Sequence, residues 1–343
     1  MMDGITSPEA EMRAAGAEIV EVSASGPQAG SPAGRPQLKV LDPRRWTREP
    51  PPRRWVVPEW LPRGYVTGLY GDGGMGKSLL AQQLATAVAI GEPWVGLPTL
   101  QGRVLCIFCE DSEEELERRQ ASINRLLGVL PERLDKLRLV SRLGEDNALY
   151  DVAGDHARST PLYDVVLEEC ARWKPTLIVL DTAADLYGGN ENDRRRVRVF
   201  IGAILGKLAR DNDAAVLLCA HPSANGLQNG RGDGGSTGWN NTLRSRWYLS
   251  EPEVNKGEPV PPGVRVLARK KANYAARNDR VEIEWRDGAF APLDRARASL
   301  DPATWTVIAA MFDELKRAWD TGKAWSPYPQ AGVSGRYFPD WAL

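Results

Sequence analysis

The chain has 343 residues, of which 44 are Lys or Arg and 45 are Asp or Glu, so its formal net charge is −1. This balance excludes a polycation that binds nucleic acid over its whole surface and restricts any such contact to a local patch. Four cysteines are too few for a disulfide framework, and no stretch is apolar enough to span a membrane. We therefore expect a cytoplasmic protein with no membrane partner.

Composition indicates three parts along the chain. Residues 1–45 are rich in Ala, Gly, Pro and Ser, which is typical of a flexible arm. Residues 46–290 carry the apolar patterns of strands and helices, and we interpret them as one folded domain. Residues 291–343 hold a helical pattern at 302–319 and then a tail. This last part reads equally well as a helix packed on the domain or as the start of a small helical module.

Strand and helix patterns alternate through most of the folded domain. Strands are predicted at 66–70, 103–109, 137–140, 176–180, 214–219, 247–250, 264–268 and 281–285, and helices at 79–90, from 112 onward, 162–173 and 193–210. The runs TLIVL and AAVLLC are apolar throughout, as in parallel strands buried on both faces. The last three strands have no helix between them. We therefore predict an α/β domain with a mainly parallel central sheet and an antiparallel β extension.

A glycine-rich loop follows the first strand and precedes the first helix. Residues 70–80 read YGDGGMGKSLL, which fits the G-x-x-x-x-G-K-[ST] template in full. Glycines allow backbone conformations that point successive N–H groups at phosphate oxygens, and the helix start adds its positive end. The alternative, a glycine turn with a solvated lysine, explains neither the spacing nor the flanking elements. The predicted nucleotide contacts are Gly71, Asp72, Gly73, Gly74, Met75, Gly76, Lys77, Ser78 and Leu79.

The loop chemistry predicts ATP and Mg²⁺ as cofactors. Lys77 is placed to bridge the β- and γ-phosphates, and the Ser78 hydroxyl to bind Mg²⁺. A second metal ligand is expected at Asp181, which directly follows the buried run TLIVL. Ligands of such sheets lie at the carboxyl ends of the strands, so Asp181 should lie near the loop. The alternative for Asp181 is an ordinary acid in a turn at a strand end.

Hydrolysis also requires a group that orients water. In VLCIFCEDS, Glu110 ends the second predicted strand, and a carboxylate there can act as a general base. The alternative is that this segment only caps the next helix. Both hold if Asp111 or Ser112 provides the cap and Glu110 the base.

Three later segments carry a family resemblance: LCAHPS, NGRGDGGSTGWNNTLRSRWYLS and ARKKANYAAR. With the phosphate loop and Glu110, they make residues 55–290 resemble RecA/DnaB-like ATPases of the RepA type. These are hexameric replicative helicases of plasmids, with relatives among AAA-family ATPases of phages. The resemblance implies a RecA-like P-loop NTPase fold, ATP hydrolysis at subunit interfaces of a hexameric ring, and single-stranded DNA as the partner.

The resemblance also implies roles for individual residues. Lys77 and Ser78 match the nucleotide loop, Glu110 the catalytic glutamate and Asp181 the metal acid. His221 matches a sensor of the γ-phosphate, although the family commonly carries two histidines where this chain has Ala220-His221.

Cations after His221 match groups at the subunit interface of the family. Arg244 best matches an arginine finger that enters the next subunit's site, with Arg246 as the competing candidate. Lys271 resembles a lysine that contacts the nucleotide near the same interface, with Lys270 adjacent.

Two loops are candidates for a DNA-binding channel. One, LYGGNENDRRRVR, carries Arg194, Arg195, Arg196 and Arg198; the other is glycine-rich, runs from 222 to 238 and carries Arg231. The alternative for the arginines is a solvated helix start. Three functions follow: a ring-forming DNA helicase or translocase, a DNA- or protein-binding ATPase switch without unwinding, and a nucleotide-binding scaffold without turnover. The intact Lys77, Ser78, Glu110 and Asp181 argue against the scaffold.

Overall fold

A computed structural model describes residues 40–153, 156–222, 236–255, 257–276, 279–293, 302–321, 325–326 and 336–337. The chain divides into two compact units, 1–52 and 53–343. In the first, the described residues hold a short 3₁₀ helix, Pro43–Arg45, whose N-cap is Asp42. Most of the predicted arm at 1–45 lies outside the described residues, and the predicted domain boundaries stay predictions.

The second unit contains all strands and α-helices of the described residues. The strands are β1 (Trp55–Val57), β2 (Leu61–Pro62), β3 (Val66–Gly71), β4 (Val104–Phe108), β5 (Leu137–Ser141), β6 (Tyr150–Ala153), β7 (His156–Ser159), β8 (Leu177–Asp181), β9 (Tyr187–Gly188), β10 (Ala215–Ala220), β11 (Ser245–Ser250), β12 (Val264–Ala272), β13 (Arg280–Arg286), β14 (Ala289–Pro292), β15 (Trp325–Ser326) and β16 (Arg336–Tyr337). The helices are α1 (Lys77–Ile90), α2 (Glu113–Leu127), α3 (Pro161–Trp173), α4 (Ala183–Leu186), α5 (Arg194–Val199), α6 (Gly206–Asp211), α7 (Thr237–Thr242) and α8 (Pro302–Asp320), with a 3₁₀ helix at Pro131–Leu134 and a π-helix at Phe200–Leu205.

A nine-stranded sheet organises this unit, in the order β14-β13-β12-β11-β3-β10-β8-β4-β5. Strands β11, β3, β10, β8, β4 and β5 run parallel to one another, and β12, β13 and β14 continue the sheet as antiparallel strands. This confirms the predicted fold class, a RecA-like α/β domain with a mainly parallel sheet and an antiparallel extension. It also brings the carboxyl ends of β3, β10, β8 and β4 to one edge.

The central strands are mostly apolar because helices cover both faces of the sheet. Helix α1 packs on one face, where Leu80 and Leu84 join a buried cluster with Leu69 and Val179. The segment α5 to α6 packs on the other face through residues that include Phe200. Truncation of one such buried leucine to alanine typically lowers the free energy of unfolding by ~2–5 kcal/mol. This packing therefore contributes strongly to the stability of the sheet that positions the strand ends. None of the described helices is long and apolar enough to cross a membrane.

The helix predicted at 193–210 is interrupted by a π-helical segment, Phe200–Leu205. The segment begins after α5 and leads into α6 without a turn. Apolar side chains stay buried before, within and after this segment, at Val197, Ile201 and Leu208 respectively. The apolar spacing of the sequence predicts the buried face but not this change of helix type.

The edge strand β14 was not predicted, and it is hydrogen-bonded to helix α1. Gln83 of α1 donates from Nε2 to the Phe290 carbonyl oxygen at 2.6 Å and accepts from the Phe290 N–H at 3.0 Å. Both groups are buried, so the side-chain amide satisfies the edge of the sheet in place of another strand. The antiparallel extension therefore reaches back to the helix that follows the glycine-rich loop.

Candidate functional site

The glycine-rich loop leads from β3 into α1 at the carboxyl edge of the sheet. Gly74 and Gly76 have φ of 75° and 94°, in the left-handed region that favours glycine. Gly76 is the N-cap of α1, and a Cβ there would lie 2.8 Å from the Phe290 ring. A larger residue at 76 is therefore excluded both by backbone conformation and by contact. No side chain caps this fourteen-residue helix, so its first N–H groups are available to bind an anion.

A cavity of about 350 Å³ opens beside this loop. Its lining brings together residues from the ends of β3, β4, β8 and β10 and from two helices, and it includes most of the predicted site. The lining residues are Gly74, Gly76, Lys77, Ser78, Leu79, Glu110, Asp111, Arg119, Asp181, Thr182 and His221.

Lys77 is a buried cation in this cavity. It is 6 % exposed, and its Nζ donates to the carbonyl oxygens of Gly71 at 2.7 Å and Asp72 at 3.0 Å. Burial lowers the pKa of Lys77, and nearby carboxylates, those of Asp181 and Glu110 among them, counter part of this effect. The ammonium is thus held at the loop with negative groups around it, where phosphate oxygens can replace the carbonyl contacts.

Asp181 ends β8 and carries a carboxylate oxygen that lacks a partner. The residue is 2 % exposed, and its Oδ1 has no hydrogen bond within the part of the chain that the structure describes. Burial raises the pKa of Asp181 to about 6; the nearby Asp111 and Glu110 add to this rise, and the Ser78 hydroxyl opposes it. An orphaned carboxylate oxygen near a hydroxyl suits a divalent cation.

The donor set fits Mg²⁺ bound together with nucleotide. Among the described residues there is no group of three or more His, Cys, Asp or Glu side chains that could hold a metal. Mg²⁺ in nucleotide sites usually takes only one or two protein ligands, with phosphates and waters supplying the rest. Ser78 and Asp181 meet that lower requirement.

The buried charge of Asp181 predicts a stability gain when it is removed. At pH 7.5 in metal-free buffer, Asp181→Asn should raise the free energy of unfolding by about 2–3 kcal/mol, because the wild-type carboxylate is ionised against a raised pKa. The gain should stay constant above pH 6 and shrink as the pH falls from about 6 towards about 4, where the wild-type carboxyl becomes protonated. Urea unfolding across this pH range measures it.

The exposed Asp135 provides the matched control, since Asp135→Asn should change stability by less than about 0.5 kcal/mol. Equal or lower stability of Asp181→Asn at pH 7.5 would contradict the buried, uncompensated charge.

Glu110 reaches the cavity from the strand next to β8. Phe108 of β4 pairs with Asp181, and the Cys109 N–H donates to the Asp181 carbonyl oxygen at 2.7 Å. Glu110 follows and is exposed at the cavity. Ser112 is the N-cap of α2 and accepts from the Glu115 N–H at 3.3 Å. The cap is therefore made without Glu110, which stays available to water at the cavity mouth.

His221 follows β10, which lies between β3 and β8 in the sheet. Its Nδ1 is 3.4 Å from Lys77 Nζ, and its side chain lines the cavity. Desolvation and the neighbouring Lys77 charge lower the pKa of His221, so the imidazole is neutral at pH 7. A neutral ring beside the lysine can accept or donate a hydrogen bond according to its tautomer.

Arg119 also lines the cavity, and sequence reasoning missed it. Its Nη2 donates to Asp111 Oδ1 at 2.8 Å, and its Nε lies 3.1 Å from Glu115 Oε1. In the sequence, Arg119 stands four residues after Glu115 on a helix, a spacing typical of a surface ion pair. No local signal distinguishes Arg119 from its exposed neighbour Arg118.

The remaining predicted cations lie outside the cavity, and Arg244 is at the opposite, amino edge of the sheet. The Arg244 N–H donates to the Val66 carbonyl oxygen at 3.3 Å, at the amino end of β3. Val66 and Gly71 are five steps of ~3.3 Å apart along the strand, so the Arg244 backbone is roughly 16 Å from the loop. Arg244 is exposed, whereas Arg246 is 5 % exposed with its guanidinium carbon 5.7 Å from the Tyr70 ring centre.

Lys271 pairs with Arg246 across β11 and β12. Its Nζ donates to the carbonyl oxygens of Asn240 at 2.7 Å and Asn241 at 3.2 Å, at the end of α7. Neither Lys271 nor the two arginines line the cavity.

Comparison with known proteins identifies the family of the chain. A family model described as an AAA domain matches residues 32–226, which is more than half of the chain. The match includes the glycine-rich loop, Glu110, Asp181 and His221, and it ends before Arg244. No curated protein matches the chain. With a glycine-rich loop on a parallel sheet and a carboxylate at the neighbouring strand ends, the chain belongs to the AAA domain family of P-loop ATPases.

Proposed function

We propose that the chain is a RepA-like, ring-forming ATPase that uses Mg-ATP to move along single-stranded DNA. The observation that most directly supports assembly is the distance between Arg244 and the nucleotide cavity. Arg244 is exposed at the amino edge of the sheet, and the cavity opens at the carboxyl edge. If Arg244 is an arginine finger, it cannot serve its own cavity and must enter that of another copy.

Within one cavity the residues divide the work of hydrolysis. Ser78 and Asp181 would hold Mg²⁺, which would supply positive charge to neutralise the phosphates. Lys77 exchanges its loop carbonyl contacts for phosphate oxygens, and the N–H groups at the start of α1 bind the same anion. Glu110 accepts a proton from the attacking water, since it is exposed at the cavity and free of the helix cap.

The proposed DNA surface begins with the arginines of α5. Arg194, Arg195 and Arg198 are exposed, while Arg196 is half-buried and pairs with the N-cap Asp193. Cations in the first turn of a helix oppose its dipole, so an anionic partner would stabilise them. A phosphate backbone is such a partner.

The two predicted DNA loops have flanks that pack on each other. A Cβ on Gly238 would lie 2.9 Å from the Arg194 carbonyl oxygen, and Trp239 Nε1 donates to the Glu191 carbonyl oxygen at 3.1 Å. The glycine-rich loop at 222–238, with Arg231, lies mostly outside the described residues. Its preceding residue, His221, lines the nucleotide cavity, which supports coupling between phosphate state and DNA contact.

The proposal predicts that single-stranded DNA stimulates ATP hydrolysis and binds less tightly as salt rises. Substitution of Arg194, Arg195 and Arg198 by alanine should weaken binding and reduce the slope of log affinity against log salt by about 0.7 for each lost phosphate contact. The stimulated ATPase rate and filter binding between 50 and 300 mM salt, roughly the range in which such contacts weaken, measure both effects.

A double variant, Arg118→Ala with Arg125→Ala, is the control because both arginines are exposed on α2, away from α5. It should leave the salt slope unchanged. Binding that is absent or independent of salt would overturn the DNA channel. Stimulation without unwinding of a forked duplex would replace the helicase by a DNA-dependent ATPase switch.

A further inference from the structure

The nucleotide cavity contains a second cationic side chain from the same subunit. Arg119 is on α2, and its side chain is 20 % exposed. Asp111 accepts from both of its terminal nitrogens, and Glu115 lies 3.1 Å from its Nε. A guanidinium has five N–H donors, and these contacts engage three at most. At least two donors therefore remain for a further acceptor in the cavity.

Buried polar contacts fix the helix of Arg119 on the helix of the phosphate loop. Gln82 Nε2 of α1 donates to the Leu116 carbonyl oxygen at 2.9 Å and to Gln120 Oε1 at 3.1 Å. Gln120 Nε2 in turn donates to Thr86 Oγ1 at 3.1 Å. These contacts join α1 to α2 at Leu116, three residues before Arg119, and at Gln120, the residue after it, so the position of Arg119 relative to Lys77 is well defined.

The charges of the cavity call for this second cation. The charged lining residues among those described are three carboxylates, Glu110, Asp111 and Asp181, and two cations, Lys77 and Arg119. A triphosphate adds further negative charge. Without Arg119, only Lys77 and the metal would offset the negative charge of the carboxylates and the triphosphate.

We propose that Arg119 is a catalytic residue that acts in cis, donating its remaining N–H groups to the terminal phosphate of the bound nucleoside triphosphate. Asp111 contacts the two terminal nitrogens of the guanidinium and Glu115 its Nε, and together they fix the orientation of its plane. This role is separate from that of Arg244, which comes from another copy. The inference rests on the proposed nucleotide site and does not depend on movement along DNA.

The test compares binding of a diphosphate and a triphosphate. For Arg119→Ala, calorimetry should show ADP affinity within about threefold of wild type, because ADP lacks the terminal phosphate. Affinity for a non-hydrolysable ATP analogue with Mg²⁺ should fall by ~10- to 100-fold, as expected for a lost charge-assisted hydrogen bond, and turnover should fall by a similar factor. The matched control is Arg118→Ala, which removes a 68 % exposed arginine that also pairs with Glu115.

If Arg119→Ala does not fold, as judged by its melting temperature, Arg119→Gln carries the same test while keeping a donor for Asp111. A variant that matches Arg118→Ala in all three measurements would overturn the inference, and so would an equal loss of ADP and triphosphate affinity. Wild-type protein that binds neither nucleotide would instead overturn the nucleotide site itself, and this inference with it.

Discussion

Lys77→Ala should lower ATP hydrolysis by at least about a hundredfold. The physical reason is that Lys77 is the cation at the start of α1, buried at the base of the cavity with its ammonium at the loop carbonyls. Its removal takes away the charge that opposes the β- and γ-phosphates, and magnesium-dependent nucleotide affinity should fall as well. Steady-state hydrolysis and calorimetry measure the two effects.

Lys207 supplies a control of the same residue type. It is exposed on α6 and pairs with Asp211, so Lys207→Ala should hydrolyse ATP at the wild-type rate. Because Lys77→Ala leaves two loop carbonyl oxygens without a donor, its melting temperature must also be compared with that of wild type. A folded Lys77→Ala protein with robust hydrolysis would refute the assignment of the phosphate loop.

Arg244→Ala should retain nucleotide binding and lose turnover by ~10³–10⁵-fold, the effect of an arginine finger in related phosphoryl-transfer sites. Its exposure and its place at the amino edge of the sheet mean that its own cavity keeps every lining residue. Arg280→Ala, which removes an exposed arginine of β13, should leave turnover unchanged.

Mixing the Arg244→Ala and Lys77→Ala proteins distinguishes an Arg244 that acts on a neighbouring subunit from one that acts on its own. Subunits with Arg244→Ala keep a complete cavity, and subunits with Lys77→Ala keep the finger, so mixed assemblies should recover part of the activity. No recovery at any mixing ratio would exclude a finger supplied in trans by Arg244. The buried Arg246 would then need a rearrangement of the sheet edge to take its place.

The sequence was sufficient for the parallel strands and for the residues at their ends. Strands β3, β4, β8 and β10 were predictable because each is a short, mostly apolar run, and a polar residue or glycine lies at its end or within two residues after it. The order of the strands is a tertiary property, and β10 lies between β3 and β8. The approach of Asp181 to the loop still follows, because parallel strands end at one edge.

Other features depend on contacts that no local pattern carries. Strand β14 is four residues long and ends in a proline, and its pairing is completed by a side chain 207 positions earlier. The sequence leaves Arg246 as a competitor to Arg244, and only the sheet makes Arg244 exposed and Arg246 buried. Arg119 has the spacing of a helix-surface ion pair, and its place in the cavity results from the packing of α2 on α1.

The hydrogen bonds between Gln83 and Phe290 indicate that the nucleotide-binding domain extends to the antiparallel strands. The AAA domain match stops at residue 226, yet the Phe290 ring lies against the glycine that begins α1. A fragment cut at the end of the match would lose the Phe290 ring beside that glycine and leave the buried side-chain amide of Gln83 without its two partners. Residues 280–293 are thus part of the folded ATPase domain, and we expect that a shortened version of the enzyme has to include them.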